Sequence, residues 1–254
     1  MELTFVGTGA ADWKAEQRGE PSFRRFSSVL IGDDLLIDPG PHIFWYVEDF
    51  GCPKAFENVK NCILTHSHDD HFRMDTMETL YRTSGAELWC HSHAMDRETP
   101  FEGLCAHTLD LYTPTRVGDY TVTAIPANHS TATEREQALH FIIEQGSTRV
   151  FYGCDGAWLM RDAWYYLREQ RFDLMILDGT LGDGYGDRRI FEHNNLRMVE
   201  LLCEAVRQNG VLKESGKLMI SHLSCLAHEA HEKVEERLQA SRILVAKDGM
   251  KIAV

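Results

Sequence analysis

No CxxC pair, no tight cysteine framework and no apolar run of about 18 residues occurs in this chain of 254 residues. Seven cysteines, odd in number and widely spaced, point to reduced thiols in a cytosolic protein rather than to a disulfide scaffold. No charged segment followed by an apolar one opens the chain, so neither a signal peptide nor a membrane span is expected, and the expected location is cytoplasmic. Basic charge is scarce. Lys and Arg number 26 against 39 Asp and Glu, for a net charge of −13, which opposes nucleic-acid binding because neutralising phosphates needs Lys and Arg. A small anionic substrate stays open, since bound metal ions invert the local field. Low-complexity linkers are missing as well, and a chain of this length with 43% hydrophobic residues has ample material for one large core. The Rossmann fingerprint is also lacking. Gly7-Thr8-Gly9 follows a predicted strand, but Asp12 stands where Gly or Ala belongs, and residues 12–25 carry no amphipathic pattern. A glycine turn beside a pocket is the expectation there.

What is present in abundance is histidine at the ends of apolar runs. In Cys62-Ile-Leu-Thr-His-Ser-His-Asp-Asp-His71 an apolar strand pattern stops abruptly, and His66, His68, Asp70 and His71 follow within six residues. Thr121 to Ile125 alternates as a strand and runs out at His129. Arg149 to Gly153 leads to Asp155, and Lys217 to Ser221 leads to His222. Each of the last three alone is a weak signal. Together, the seven residues supply imidazoles for affinity and a carboxylate able to hold two cations about 3.5–4 Å apart. Other histidines read as structural. His42 has no ligand partner nearby, and His140 sits within a strand. The pair His91 and His93 repeats the HxH spacing without a following carboxylate, so a surface pair is expected. His228 and His231 share one side of a late helix and are expected in solvent.

Further elements follow from periodicity. Helices are expected over residues 42–50, 69–83, 158–170, 194–208 and 227–240, with a final strand over 243–246. The strand-then-helix pattern repeats before and after about residue 145, giving two similar halves (about 1–145 and 146–254) within one domain. Asp38, just past the strand pattern Asp34 to Ile37, is suited either to orienting a ligand histidine or to a turn. Asp178 closes another strand, where it is suited either to orienting a ligand from behind or to a structural role. The glycine loop 181–187 precedes His193. Arg24, Arg25, Tyr185 and Asn194 are candidate substrate contacts, with a solvated surface as the alternative for the two arginines.

Those residues resemble the metallo-β-lactamase superfamily over nearly the whole chain, from Phe5-Val6-Gly7-Thr8-Gly9 through Ile37-Asp38-Pro39-Gly40 to Ser221-His222-Leu223-Ser224. The resemblance implies an α/β fold, the four-layer αββα sandwich, with the site along one edge. It implies two divalent ions, Zn²⁺ or Mn²⁺: His66, His68 and His129 on one, Asp70, His71 and His222 on the other, Asp155 bridging. A cysteine ligand at the bridging region would indicate the lactamases, but Asp155 and Asp70 stand as the ligands; an Asp-to-Glu change in the motif would indicate the di-iron oxygen reductases, but His68 is present instead. The resemblance then narrows to glyoxalase II, the tRNA 3′-processing endonucleases and the cyclic-phosphate phosphodiesterases. Gly7-Thr8-Gly9 with Arg25-Phe26-Ser27-Ser28 looks most like the phosphodiesterase of phosphonate (carbon–phosphorus lyase) degradation, although residues 12–26 lack the cysteines that bind a structural zinc in that relative. The implied activity is hydrolysis of a small or cyclic phosphate ester by a metal-bound hydroxide, with Asp70 and His193 catalytic. Hydrolysis of a thioester or another carboxylic ester at the same metals is the alternative. His193 would protonate the leaving group. The dipole of the following helix disfavours its charge, so this role requires a nearby carboxylate. A small phosphoester is the expected partner, nucleic acid and membrane are not, and a homodimer is compatible with the chain.

Overall fold

The structure is a computed structural model and describes residues 1–184 and 187–254. Among the described residues the chain forms two seven-stranded sheets. The first contains β1 (Glu2–Gly7), β2 (Ser28–Ile31), β3 (Leu35–Ile37), β4 (Asn61–Ile63), β5 (Glu87–Cys90) and β6 (Ala106–Thr108). The second contains β7 (Pro114–Val117), β8 (Tyr120–Pro126), β9 (Leu139–Gln145), β10 (Thr148–Gly153), β11 (Phe172–Asp178), β12 (Leu212–Ser221) and β13 (Leu244–Val245). The last strand, β14 (Lys251–Ala253), returns to the first sheet and pairs antiparallel with β1. In each sheet an antiparallel part gives way to parallel strands: β3 to β6 in the first, β10 to β13 in the second.

Alternation along the strands builds the layers. Leu35 and Ile37 of β3, Leu139, Phe141 and Ile143 of β9, and Val150 and Tyr152 of β10 point into one core between the sheets. Their neighbours point outward. Leu36 joins a core under α1 (Ile43–Asp49) and α2 (Met74–Ser84), while Ile142 and Phe151 join one under α3 (Arg161–Leu167), α4 (Leu196–Gln208) and α5 (His231–Gln239). Both faces of each sheet are therefore covered, which is the expected αββα sandwich. No helix among the described residues is long and apolar enough to cross a membrane.

Several boundaries differ from the sequence reading. The sheets divide the chain between Thr108 and Pro114, not near residue 145, and β14 crosses back. Residues 69–73 are not helical. His71 N–H and Phe72 N–H both donate to His68 O and Arg73 N–H to Pro39 O, so the loop is tied down before α2 begins. The last helix starts at His231 rather than near Ala227, and α3 spans seven residues of the thirteen expected. The strands β6, β7 and β14 are short and largely exposed, and show no apolar alternation to predict them. Gly7 and Gly9 serve close packing, as a glycine turn should. A Cβ on Gly7 would run into Phe26 O, and one on Gly9 would come within 2.5 Å of the Trp13 ring.

Phe141 is fully buried between the sheets. Phe141→Ala should cost about 3–5 kcal/mol of stability in urea unfolding, whereas Phe191→Ala, at a side chain 78% exposed, should stay within about 0.5 kcal/mol.

Candidate metal centre

Strand ends of both sheets deliver the seven residues to one place. Three run past the C-terminal ends of parallel strands: β4 leads to His66, β10 to Asp155 and β12 to His222, while the antiparallel β8 leads to His129. Ligand-bearing atoms of His66, His68 and His129 lie within 4.8 Å of one another, and so do those of Asp70, His71, Asp155 and His222. Asp155 Oδ2 links the two groups. It is 2.7 Å from His71 Nε2, 3.4 Å from His222 Nε2, 3.5 Å from His66 Nε2 and 3.9 Å from His129 Nε2. Three residues that follow strands here adopt left-handed backbone: Asp38 (φ 59°), Asp155 (φ 60°) and His222 (φ 63°). Such conformations cost about 1–3 kcal/mol each for a residue with a Cβ, so surrounding packing holds the side chains where they are.

Two buried Asp–Thr pairs set the imidazole orientations. On the first sheet, Asp38 accepts from Thr65 N–H (2.8 Å), from the Thr65 hydroxyl (2.9 Å) and from His71 Nδ1 (2.9 Å). The same hydroxyl lies 3.1 Å from His66 Nδ1. On the second sheet, Asp178 accepts from Thr180 N–H (3.0 Å), the Thr180 hydroxyl (2.8 Å) and Asn194 N–H (2.9 Å). The Thr180 hydroxyl in turn lies 2.7 Å from His222 Nδ1. Nδ1 of His66, His71 and His222 thus faces an oxygen of an Asp–Thr pair, and Nε2 of each is turned toward the cluster. His129 follows the same pattern, with Nδ1 3.3 Å from Glu192 O. Asp38 and Asp178 are therefore carboxylates behind the cluster, not turn caps alone. Glu136 braces the motif loop from below, accepting from Ser67 N–H (2.9 Å) and from the Ser67 hydroxyl (2.5 Å).

Charge at the site is unbalanced without a cation. Burial alone would raise the pKa values of Asp70 and Asp155, yet the surrounding imidazoles hold both well below the ordinary carboxylate range. Burial alone would also lower His71, yet Asp70, Asp155 and Asp38 hold it well above its usual value. His66 is driven the other way, well below its usual value, by burial and by the nearby His71. His71 Nε2, His222 Nε2 and Asp155 Oδ1 are buried with no hydrogen-bond partner. Orphaned acceptors of this kind are rare in a folded interior and fit cation ligation. Nitrogen and carboxylate donors suit Zn²⁺ or Mn²⁺.

His193 adjoins this cluster: its ligand atom and those of Asp155, Asp178 and His222 lie within 4.8 Å of one another. It lies in a bend after the short 3-10 turn Arg188–Phe191 and two residues before Asn195, whose side chain caps α4 by accepting from Met198 N–H (2.9 Å). Its Nδ1 donates to Asp178 Oδ2 (3.0 Å) and sits 3.2 Å from Asp155 Oδ1. Burial alone would lower its pKa, but Asp178 and Asp155 outweigh burial and push it up to about 11. The required carboxylate is present. A cavity of about 300 Å³ opens over the cluster, lined by His68, Asp70, His129, Asp155, His193 and His222 together with Asp12, Thr180, Arg189 and Glu192. Arg189, held by Asp187 at 2.8 Å, is its one Arg or Lys among the described residues and was not anticipated. Nothing in spacing marks it; its role comes from the turn that carries it.

Other sequence candidates lie elsewhere. Arg24 and Arg25 are neither solvated nor at this cavity. Arg24 bonds Thr8 Oγ1 and Ala246 O, and Arg25 pairs with Asp248 at 2.9 Å, both beside a separate cavity of about 610 Å³. Asn194 is buried and structural, accepting from Trp158 N–H (2.7 Å) and donating to Gly156 O (3.1 Å). Tyr185 lies outside the described residues. His228 and His231 are not in solvent: His228 Nε2 is 2.6 Å from Gly179 O, and His231 Nδ1 is 2.9 Å from Arg24 Nη2. His42 stacks between Phe26 and Trp45, and His140 is buried in β9, both as structural histidines. His91 and His93 are a partly exposed pair.

The family described as "Beta-lactamase superfamily domain" matches residues 34–222, three quarters of the chain and nearly all of the cluster's loops. The chain belongs to that superfamily. Its members are metal-dependent hydrolases. No curated protein sequence matches the chain. Solved structures with the same fold include the metallo-β-lactamase fold protein YhfI of Bacillus subtilis, 17% identical, with TM-score 0.74 over 99% of this chain and 98% of that one. Zn²⁺-bound PqqB from Methylobacterium extorquens is 16% identical, with TM-score 0.76 over 100% of both chains. The short form of human tRNase Z is 19% identical, with TM-score 0.67 over 100% of this chain and 99% of that one. At these identities the superfamily likeness is one of fold.

Thr180→Val removes the hydroxyl that orients His222 while keeping the side-chain shape. It should weaken divalent-ion binding by about 10–100-fold in chelator competition. Unchanged affinity would show that the hydroxyl does not set the ring.

Proposed function

We propose that the protein is a dinuclear metal-dependent phosphodiesterase acting on a small or cyclic phosphate ester. His66, His68 and His129 would hold one Zn²⁺ or Mn²⁺, Asp70, His71 and His222 the other, with Asp155 shared. Bound ions supply Lewis acidity toward the phosphoryl group and acidify a water. The observation that carries the choice of ester is His193, kept protonated by Asp178 at the wall of the cavity. Hydrolysis of an alkyl phosphodiester expels an alkoxide, a poor leaving group that needs a proton. Thioester hydrolysis expels a thiolate and needs none.

The chain's own residues divide the work. Asp178 holds His193 charged and aimed, and Thr180 and Asn194 N–H hold Asp178. Asp70 would help to hold an ion and would accept a proton from the attacking water. Arg189 brings positive charge to the mouth of the cavity and favours an anionic substrate over a neutral one. With Asp155 engaged by an ion, Asp178 becomes the main partner that sets the His193 pKa.

His193→Ala should keep both ions yet lose about 10²–10⁴-fold in kcat on an alkyl diester, with a much smaller loss on an aryl diester. Equal losses on both substrates, or faster turnover of a thioester than of any phosphodiester, would overturn the reading in favour of a thioester or carboxylic-ester hydrolase. The pH profile checks the same assignment. His193 must be protonated to act, and its pKa is raised, so it sets the basic limb: activity falls as pH rises through that pKa. Asp178→Asn removes the main raising charge, so the basic limb of kcat should move to lower pH; an unmoved limb counts against His193 as the acid.

A further inference from the structure

A second group of donor atoms lies at the free edge of the first sheet. There Leu88 pairs with Ala106 and Trp89 with His107, so alternation places Glu87, Trp89, Cys105 and His107 on one face. Leu88 and Cys90 fill the core under α1 and α2, while Trp89 packs on the core between the sheets. The polar group therefore faces inward where the sandwich opens to solvent. It is also remote from the His/Asp cluster along the strands. Glu87 pairs with Asn61 at the start of β4, whereas the cluster lies beyond the far end of β4.

His107 Nε2 is 2.8 Å from Glu87 Oε2 and 3.3 Å from Cys105 Sγ. A single ring nitrogen serves the two partners unequally. Carrying a proton, it donates to the carboxylate and has only a weak sulfur acceptor on its other side; without one, it accepts from the thiol and repels the carboxylate. One cation resolves the conflict. It takes the nitrogen lone pair, a carboxylate oxygen and a thiolate, whose proton leaves to solvent. The donor separations fall a little short of the edges of about 3.3–3.8 Å in a tetrahedron with metal bonds of about 2.0–2.3 Å, and the three donor atoms all lie within 4.8 Å of one another. The ring is also preset: it stacks on Trp89 at 4.1 Å and 22°, and Trp89 Nε1 donates to Asn61 Oδ1 at 3.1 Å.

We propose that Glu87, Cys105 and His107 form a separate binding site for one zinc-class divalent cation. Sulfur and imidazole donors select Zn²⁺-like ions over Mg²⁺ or Ca²⁺. Three protein donors leave a fourth position open to water, and the exposed Cys105 leaves the ion exchangeable. The ion would fasten the three-residue edge strand β6 to β5 and blunt that edge against pairing with other chains.

The test uses the sulfur. The His/Asp cluster offers only nitrogen and oxygen donors, so in the full chain prepared with Co²⁺ as its sole divalent metal, a thiolate-to-cobalt charge-transfer band reports this site alone. The band should be present in the native chain and absent from Cys105→Ser, with one equivalent less cobalt bound and phosphodiesterase activity unchanged. His107→Ala should lose the band as well, and Asp155→Asn should keep it while losing activity. Absence of the band from the native chain, or its persistence in Cys105→Ser, would overturn the proposal. Neither result depends on what the His/Asp cluster hydrolyses.

Discussion

Asp155 Oδ2 sits among four imidazoles that arrive from both sheets, with almost no access to water. An ionised carboxylate in such a place is held only if positive charge surrounds it, and separate imidazoles are held close only if something anionic joins them. The two requirements meet in one atom. Strand ends, left-handed residues and loop lengths all serve that meeting. The His71 proton supplies part of the positive charge, and divalent ions are suited to supply it in full.

The two sheets solve the orientation problem in the same way. Asp38 with Thr65, and Asp178 with Thr180, each combine a carboxylate following or ending a strand with a threonine hydroxyl that also reaches a cluster histidine. The second copy carries an addition. Asp178 reaches His193 as well as Thr180, so the device that aligns a ligand also keeps a neighbouring imidazole charged. The orientation of His222 and the charge of His193 thereby depend on one buried carboxylate, Asp178.

Much of this was legible beforehand because it depends on local periodicity. The apolar runs ending at His66, His129, Asp155 and His222 marked strands, and the sandwich follows from burying both faces of them. The α4 span was readable from its period, expected over 194–208 and found over Leu196–Gln208, whereas its cap Asn195 came only with the structure. Failures cluster where pairing, not pattern, makes the element. Polar β6 and β7 and the terminal β14 become strands only by adding to an edge. Arg24, Arg25 and Asn194 looked like substrate contacts because charge and amide groups near a motif do so in one dimension. In three dimensions they are used up by Thr8, Asp248, Gly156 and the Trp158 amide.

The sequence by itself determined the donor chemistry: imidazoles and carboxylates, in an order and at strand ends that converge on one centre. Side-chain type and hydrophobic period are written in the chain, and ligand preference follows from type. Only the tertiary structure decided which groups share that centre's surroundings. It placed Asp178 against His193, Arg189 at the cavity mouth, Glu136 beneath the motif and Glu87 beside Cys105 and His107. Each of these depends on distances between segments far apart in sequence, and such distances are set by the packing of the two sheets rather than by any local signal.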